Sequence, residues 1–212
     1  MTVKPQAEAA RGASPARLIL ASASKTRVRL LCNAGVRFEA EAAHVDEAAL
    51  KEALAAERSS GRDAALALAE MKAMRVSASR PGVLVLGCDQ LLDSAGTWFD
   101  KAVDRADAAR QLALLQGKPH ELATAVVAVR DGRRLWHHVE APRLIMRSLS
   151  EADIAAYLDA AGDEPIGCVG GYRLEGHGVH LFARVEGDYF AILGLPLLPL
   201  LDFLRGQGLA AW

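Results

Sequence analysis

Unbroken apolar runs alternate along this chain with stretches whose apolar positions recur every three or four residues, a pattern that predicts strands interleaved with helices. Leu18–Ala21 and residues 83–86 (Val-Leu-Val-Leu) are apolar throughout and of strand length, as expected of strands buried on both faces. Between them the spacing predicts a helix over 28–34 ended by Gly35, a strand over 37–41 and a helix through Leu54 broken at Ser59-Ser-Gly61. A stronger helix over 63–79 follows, stopped by Pro81-Gly82. Residues 91–99 read as a hairpin around Ser94-Ala-Gly96, and 105–116 as an amphipathic helix closed by Gly117. The second half is more antiparallel in character. Strands over 122–129 and 135–146 flank Arg130-Asp-Gly-Arg133, a hairpin signal. Ser150 caps a helix through Ala160 with Asp153 as its capping-box partner, and a last helix lies near 196–205. Without a repeat or a strong linker, these elements imply one α/β domain with a mixed sheet and a cleft between two lobes.

Composition narrows the class. A length of 212 residues suits one domain with two lobes: residues 17–212 form it, and 1–16, polar and alanine-rich without an apolar core segment, read as a loose tail and not a signal peptide. The longest nearly apolar stretch, 190–201, is too short to span a bilayer and carries Pro196 and Pro199. A formal net charge of −1 gives no basic footprint for nucleic acid. Three distant cysteines, Cys32, Cys88 and Cys168, suit reduced thiols better than disulfides or a zinc site, so a cytoplasmic protein is expected.

The candidate chemistry gathers at strand ends. Ser22-Ala-Ser-Lys-Thr-Arg27 joins a strand to a helix, where free backbone N–H groups beside Lys25 and Arg27 make a seat for phosphate. Asp89 follows the apolar strand and is expected at its carboxyl end, where open α/β sheets hold ligands; a plain turn aspartate is the competing reading. Glu47 reads equally as a helix-dipole partner. Lys72 has Leu68 and Val76 as helical neighbours, so it either snorkels or points into a charged cleft. Lys101 by itself is an exposed loop lysine. His137 and His138, adjacent in a strand, point to opposite faces and do not share a metal; His177 and His180 read as turn residues.

In combination and order, these segments resemble the Maf family of nucleoside triphosphate pyrophosphatases. The resemblance runs through Leu-Ala-Ser-Ala-Ser-Lys-Thr-Arg27, Val-Asp-Glu47, Ala-Glu-Met-Lys-Ala73, Gly-Cys-Asp-Gln90, Phe-Asp-Lys101 and Gln-Gly-Lys-Pro-His120. It continues in Met-Arg-Ser-Leu-Ser150, Tyr-Arg-Leu-Glu-Gly176 and Leu-Gly-Leu-Pro196. It implies a Maf/inosine-triphosphatase-like α/β fold, often dimeric, that hydrolyses a nucleoside triphosphate to monophosphate and pyrophosphate. It implies Asp89 as the catalytic acidic residue, acting as proton acceptor for water or through the metal, Glu47 and Asp89 as ligands of a divalent cation, most simply Mg2+, and Ser22, Ser24, Arg27, Lys72 and Lys101 as phosphate contacts. Thr26, Gln90 and Glu175 match positions linked to base choice: Gln90 and Glu175 resemble the 7-methyl-GTP type, whereas Thr26 stands where that type has tryptophan. Ala102 replaces the usual proline after Lys101, which implies a looser loop, and Cys168 and Gly171 also depart from the pattern. A nucleotide-binding regulator of cell division without catalysis, or a nucleotidase acting at the terminal phosphate, are the competing functions.

Overall fold

In the computed structural model, residues 18–211 are described; the expected tail over 1–16 lies outside them. β1 (Leu18–Ala21) is buried throughout and ends at Ser22. α1 (Lys25–Asn33) starts three residues earlier than expected, because the Ser24 hydroxyl accepts the Arg27 N–H and caps the helix there. β2 (Glu39–Ala40) is shorter than predicted. Asp46 caps α2 (Glu47–Ala56) and Ser60 caps α3 (Gly61–Ser77), each accepting the N–H three residues on.

The largest departure from expectation is β3 (Leu84–Ser94), which runs through Asp89 for 11 residues and does not stop before it. The reason is its neighbour. β5 (Pro119–Arg130) pairs with β3 antiparallel from Val85↔Val129 to Asp93↔Glu121, so the ladder carries the strand past the end of its apolar run. On the other edge of β3, β1 pairs parallel only as far as Ala21↔Gly87, and β4 (Thr97–Phe99) pairs antiparallel only from Leu92↔Phe99. Residues 88–91 therefore face a notch with no strand beside them. The predicted 135–146 strand is two: β6 (Arg133–Glu140) and β7 (Arg143–Met146), which pair with opposite ends of β5. The break falls at Pro142, which lacks an N–H for the ladder and whose carbonyl accepts the Leu122 N–H at 3.0 Å.

The remaining elements are α4 (Arg105–Leu115), α5 (Glu151–Ala161), β8 (Phe182–Glu186), α6 (Tyr189–Ile192) and α7 (Leu197–Gly206). Ser150 and Asp153 form the expected capping box of α5. The sheet order is β2-β1-β3-β5-β7-β8, with β4 on β3 and β6 on β5. The long β3–β5 ribbon is thus a spine. One lobe gathers β1, β2 and β6 around its first half of β3, and the other gathers β4, β7 and β8 around the second.

Alternation along β3 sorts its side chains. Leu84, Leu86 and Cys88 join Leu20, Leu31, Leu200 and Leu204 beneath α1 and α7. Val85 and Leu91 join Ile19, Val127 and the alanine face of α3 on the opposite side. Gly87 sets how closely α3 approaches: a Cβ there would lie 2.0 Å from the Ala69 carbonyl oxygen and 2.8 Å from the Ala73 Cβ. In the second lobe, Leu92, Leu122, Leu144 and Met146 pack against Leu112, Ile154, Leu158 and Tyr172.

The loop after β4 is firmer than the missing proline implied. The Ala102 N–H donates to the Cys168 carbonyl at 3.0 Å, a bond proline cannot make, and the Ala102 carbonyl accepts the Gly167 N–H at 2.8 Å. Gly171, with φ +69°, would place a Cβ 3.0 Å from the Ala108 backbone, so both the turn and the packing require glycine.

Candidate active site

The β3 notch is where the polar groups meet. Arg27, on the first turn of α1, extends into it. Its Nη1 donates to the Cys88 carbonyl at 3.0 Å and to the Ser22 hydroxyl at 3.2 Å, and its Nε donates to the Gly194 carbonyl at 2.7 Å. The guanidinium thus satisfies a strand carbonyl that β1 ends too early to reach. Its Nη2 hydrogens have no acceptor among the described residues. Ser22 Oγ also accepts the Ser24 N–H at 3.2 Å, so both serines are spent in shaping the turn. The Lys25 and Thr26 amides open the helix with no intrahelical acceptor, leaving two donors beside the free Nη2 edge.

On the α3 side of the sheet a second constellation is buried. Gly87 lets α3 lie against β3, and the next turn of α3 carries Lys72 to Asp89. Lys72 Nζ lies 2.5 Å from Asp89 Oδ1 and 3.0 Å from Glu47 Oε2. The Lys72 and Asp89 side chains are 11% and 7% exposed, whereas that of Glu47 is 44% exposed and reaches the rim. Of the two readings of Lys72, the charged cleft is the one the structure adopts: its ammonium is inside, not snorkelling out. A buried ion pair is stabilising only when both charges remain, since loss of one leaves the other uncompensated.

Gln90, the next residue, points to the opposite face, as strand alternation requires. Its amide nitrogen lies 2.9 Å from Thr124 Oγ1 and 3.0 Å from both the Ala191 and Ile192 carbonyls, tying the end of α6 to the spine. Two residues beyond Ile192, Gly194 receives the Arg27 guanidinium, so Gln90 and Arg27 steady the same turn. Lys101 is exposed and forms no ion pair among the described residues, and its backbone bridges to Val169. Thr26 is half-buried on the first turn of α1. Glu175 is bound by Arg173 at 3.2 Å and Arg29 at 3.4 Å. Asp89, Glu47 and Lys72 therefore form one cluster and Ser22, Ser24 and Arg27 a second, while Gln90 points to the face opposite Asp89 and Glu175 is held by Arg29 and Arg173 apart from both.

Sequence reasoning did not single out Arg29, Lys51 or Arg173. Lys51 reaches Asp100 at 2.7 Å, which joins α2 to the loop carrying Lys101. The Arg29–Glu175 and Lys51–Asp100 pairings leave no local signal, because their partners are 146 and 49 residues apart, whereas Arg173 stands two residues from Glu175. Cys88, next to Asp89, is an inert neighbour: burial raises its thiol to a pKa of about 11, so it stays protonated. His138 pairs with Glu140 at 3.0 Å and stacks on Trp136, away from the notch.

Chemically, the arrangement sets two carboxylates and a lysine on one side of a strand edge, with an arginine and open helix amides on the other. This is a mixed-sheet α/β protein whose cleft offers acid–base groups and anion donors together. The chain belongs to the Maf family: the family model described as Maf-like protein spans residues 17–207. It is 54% identical over 190 residues to the nucleoside triphosphate pyrophosphatase of Paramagnetospirillum magneticum, covering 90% of this chain and 98% of the relative. The proteins of the same name from Rhodospirillum rubrum and Nitrobacter hamburgensis are 52% and 53% identical over 191 and 195 residues. Those alignments cover 90% and 92% of this chain, and 95% and 96% of the relatives.

Proposed function

We propose that this protein hydrolyses the α–β phosphoanhydride bond of a nucleoside triphosphate, releasing nucleoside monophosphate and pyrophosphate. The observation that carries the reading is the Lys72 ammonium held between Asp89 and Glu47 on one flank of a strand edge whose other flank presents Arg27 and the start of α1. A triphosphate laid across that edge meets donors for its oxygens and, at Asp89, an acceptor for a water proton. The names of the relatives point the same way.

In this mechanism water attacks the α-phosphorus, a new P–O bond forms and the bridging P–O bond to the β-phosphate breaks. Asp89 orients the water and accepts its proton. Lys72 holds the Asp89 carboxylate in place, and its remaining N–H is available to a phosphate oxygen. Arg27 Nη2, the α1 amides and Lys101 offset the charge that spreads onto the leaving pyrophosphate. Glu47 and Asp89 fit a magnesium ion by donor chemistry: Mg2+ is bound through one or two carboxylates, with phosphates and water completing its shell. When bound, it would neutralise phosphate charge and lower the pKa of water.

The base is read at the other end of the notch. Glu175 accepts hydrogen bonds from the N1–H and amino group of a guanine-type base, which supports a purine, including a modified one. The net charge of −1 supports a free nucleotide over nucleic acid as partner. Free thiols at Cys32, Cys88 and Cys168 support a cytoplasmic setting, and no helix among the described residues is long and apolar enough to cross a membrane. Homodimerisation completes the proposal. Exposed Leu135 on β6 and exposed Leu198 on α7, which packs against β6, support it.

Product analysis on a panel of dTTP, UTP, GTP and 7-methyl-GTP with magnesium tests the reading. Pyrophosphate and monophosphate in equal amounts are expected, with turnover abolished by EDTA and restored by Mg2+. Orthophosphate alone would move the scissile bond to the terminal phosphate, and binding without turnover would favour the regulator.

A further inference from the structure

Glu175 is held from two directions through one oxygen. Arg173 Nη2 and Arg29 Nη2 both donate to its Oε1, at 3.2 and 3.4 Å, and Arg173 also lies 3.5 Å from Glu164. The Glu175 side chain is 15% exposed, whereas that of Arg29 is 51% exposed. Glu175 Oε2 accepts no hydrogen bond among the described residues. Arg29 commits one of its five N–H donors and keeps the rest free. Arg29 stands three residues after Thr26, so the two side chains share a face of α1. Gln90 lies on the sheet face that α1 and α6 cover. The α1 helix whose first turn sends Arg27 to the Cys88 carbonyl in the notch therefore also carries, at Arg29, a free guanidinium edge beside a free carboxylate oxygen of Glu175.

Resting on the nucleotide reading above, we propose that Arg29 is a specificity-determining residue which, together with Glu175, selects a neutral lactam purine over a cationic N7-alkylated one. The two side chains complement two edges of a guanine. A guanine presents O6 and N7 as paired acceptors, which a guanidinium fork matches, and N1–H with its amino group as donors, which a carboxylate matches. Alkylation at N7 removes one acceptor and adds a positive charge. Arg29 and Arg173 against Glu175 and Glu164 sum to zero, so the cluster holds no surplus negative charge for a cationic base. Thr26 offers no aromatic face on which such a base could stack. Both effects favour the neutral ring, and the first of them depends on Arg29.

The test is binding, independent of turnover. Affinities of the α,β-imido analogues of GTP and 7-methyl-GTP, with magnesium, are measured by calorimetry on the wild type, Arg29→Ala and Arg29→Lys. The wild type is expected to favour the neutral analogue by about tenfold or more, and Arg29→Ala to narrow that ratio by about tenfold. Arg29→Lys keeps the charge without the fork: it should bind the GTP analogue more weakly than the wild type and narrow the ratio, though by less than Arg29→Ala, because the repulsion of a cationic base remains. A ratio in Arg29→Ala within about twofold of the wild type, or failure of the wild type to bind either analogue, overturns the proposal. The pyrophosphate assay separates the two claims. A shifted ratio with no pyrophosphate released sinks the reaction and leaves the base reader standing, whereas pyrophosphate release with an unshifted ratio does the reverse.

Discussion

The two lobes bury polar groups in opposite ways. In the first, Lys72 and Asp89 are buried as charges, 2.5 Å apart, with Glu47 as a second carboxylate at the rim. In the second, His120 and Tyr172 are buried as neutral groups: His120 Nε2 lies 2.7 Å from the Tyr172 hydroxyl, and Phe182 packs on both rings. Burial lowers the imidazole to a pKa of about 4 and raises the phenol well above its ordinary value, so neither ionises near neutral pH. His120 Nδ1 even lacks a hydrogen-bond partner among the described residues, which costs free energy in apolar surroundings. A neutral polar pair is the cheaper way to fill a core. Buried charge is costly unless closely paired, so its placement against the β3 notch points to chemistry.

That contrast can be broken at three points, in descending size. Asp89→Asn keeps the shape of the side chain but removes the proton acceptor. Turnover should fall by about a thousandfold or more, roughly 4 kcal/mol of transition-state stabilisation, with a stability loss smaller than that of Lys72→Met because Lys72 keeps Glu47 at 3.0 Å as a counter-charge. Near-normal kcat would show that Asp89 has no acid–base role. Lys72→Met removes the shared cation and leaves Asp89 buried without a counter-charge. A loss of about 3–5 kcal/mol in denaturant-unfolding stability is expected, in addition to lost activity. A stability change below about 1 kcal/mol would mean that water reaches the pair and that the first lobe does not truly bury charge.

The third point is pH. With a folded pKa lowered to about 4 from 6.5, His120 contributes stability that is fully present above pH 6.5. As pH falls through that value the unfolded chain takes up a proton that the folded one refuses. Stability then declines until about pH 4, by on the order of 3 kcal/mol in total. His120→Gln should flatten this window in unfolding curves collected between pH 4 and 7. An unchanged slope would place the acid sensitivity elsewhere.

Much of the fold was readable along the chain, and its departures have physical causes. The Ser150–Asp153 capping box and the Ser94-Ala-Gly96 turn depend on residues within a few positions of one another, and both formed as predicted. The early start of α1 was missed because Ser24 competes with Ser22 as a helix cap, and only Ser24 sits where its hydroxyl reaches the Arg27 N–H. The length of β3 was missed because its apolar run ends before Asp89, while its pairing with β5 does not. For the candidate site, residue types and order were legible. Direction was not: the chain could not say that Lys72 turns inward, nor that Arg29 reaches Glu175.

The sequence by itself determined most of the helices, their caps and the tight turns, together with the apolar runs that begin the strands, and it carried the motifs that place the chain in the Maf family. Those features depend on interactions that reach three or four residues, or on residue order alone. Only the tertiary structure decided where the notch falls, because that depends on β1 and β4 ending at different points along β3. It also decided that Arg27 fills the notch through carbonyls 61 and 167 residues away, and that Asp89 and Gln90, adjacent in the chain, serve opposite faces. The sign of a charge is local; the partner that makes its burial tolerable comes from wherever the fold brings the chain back.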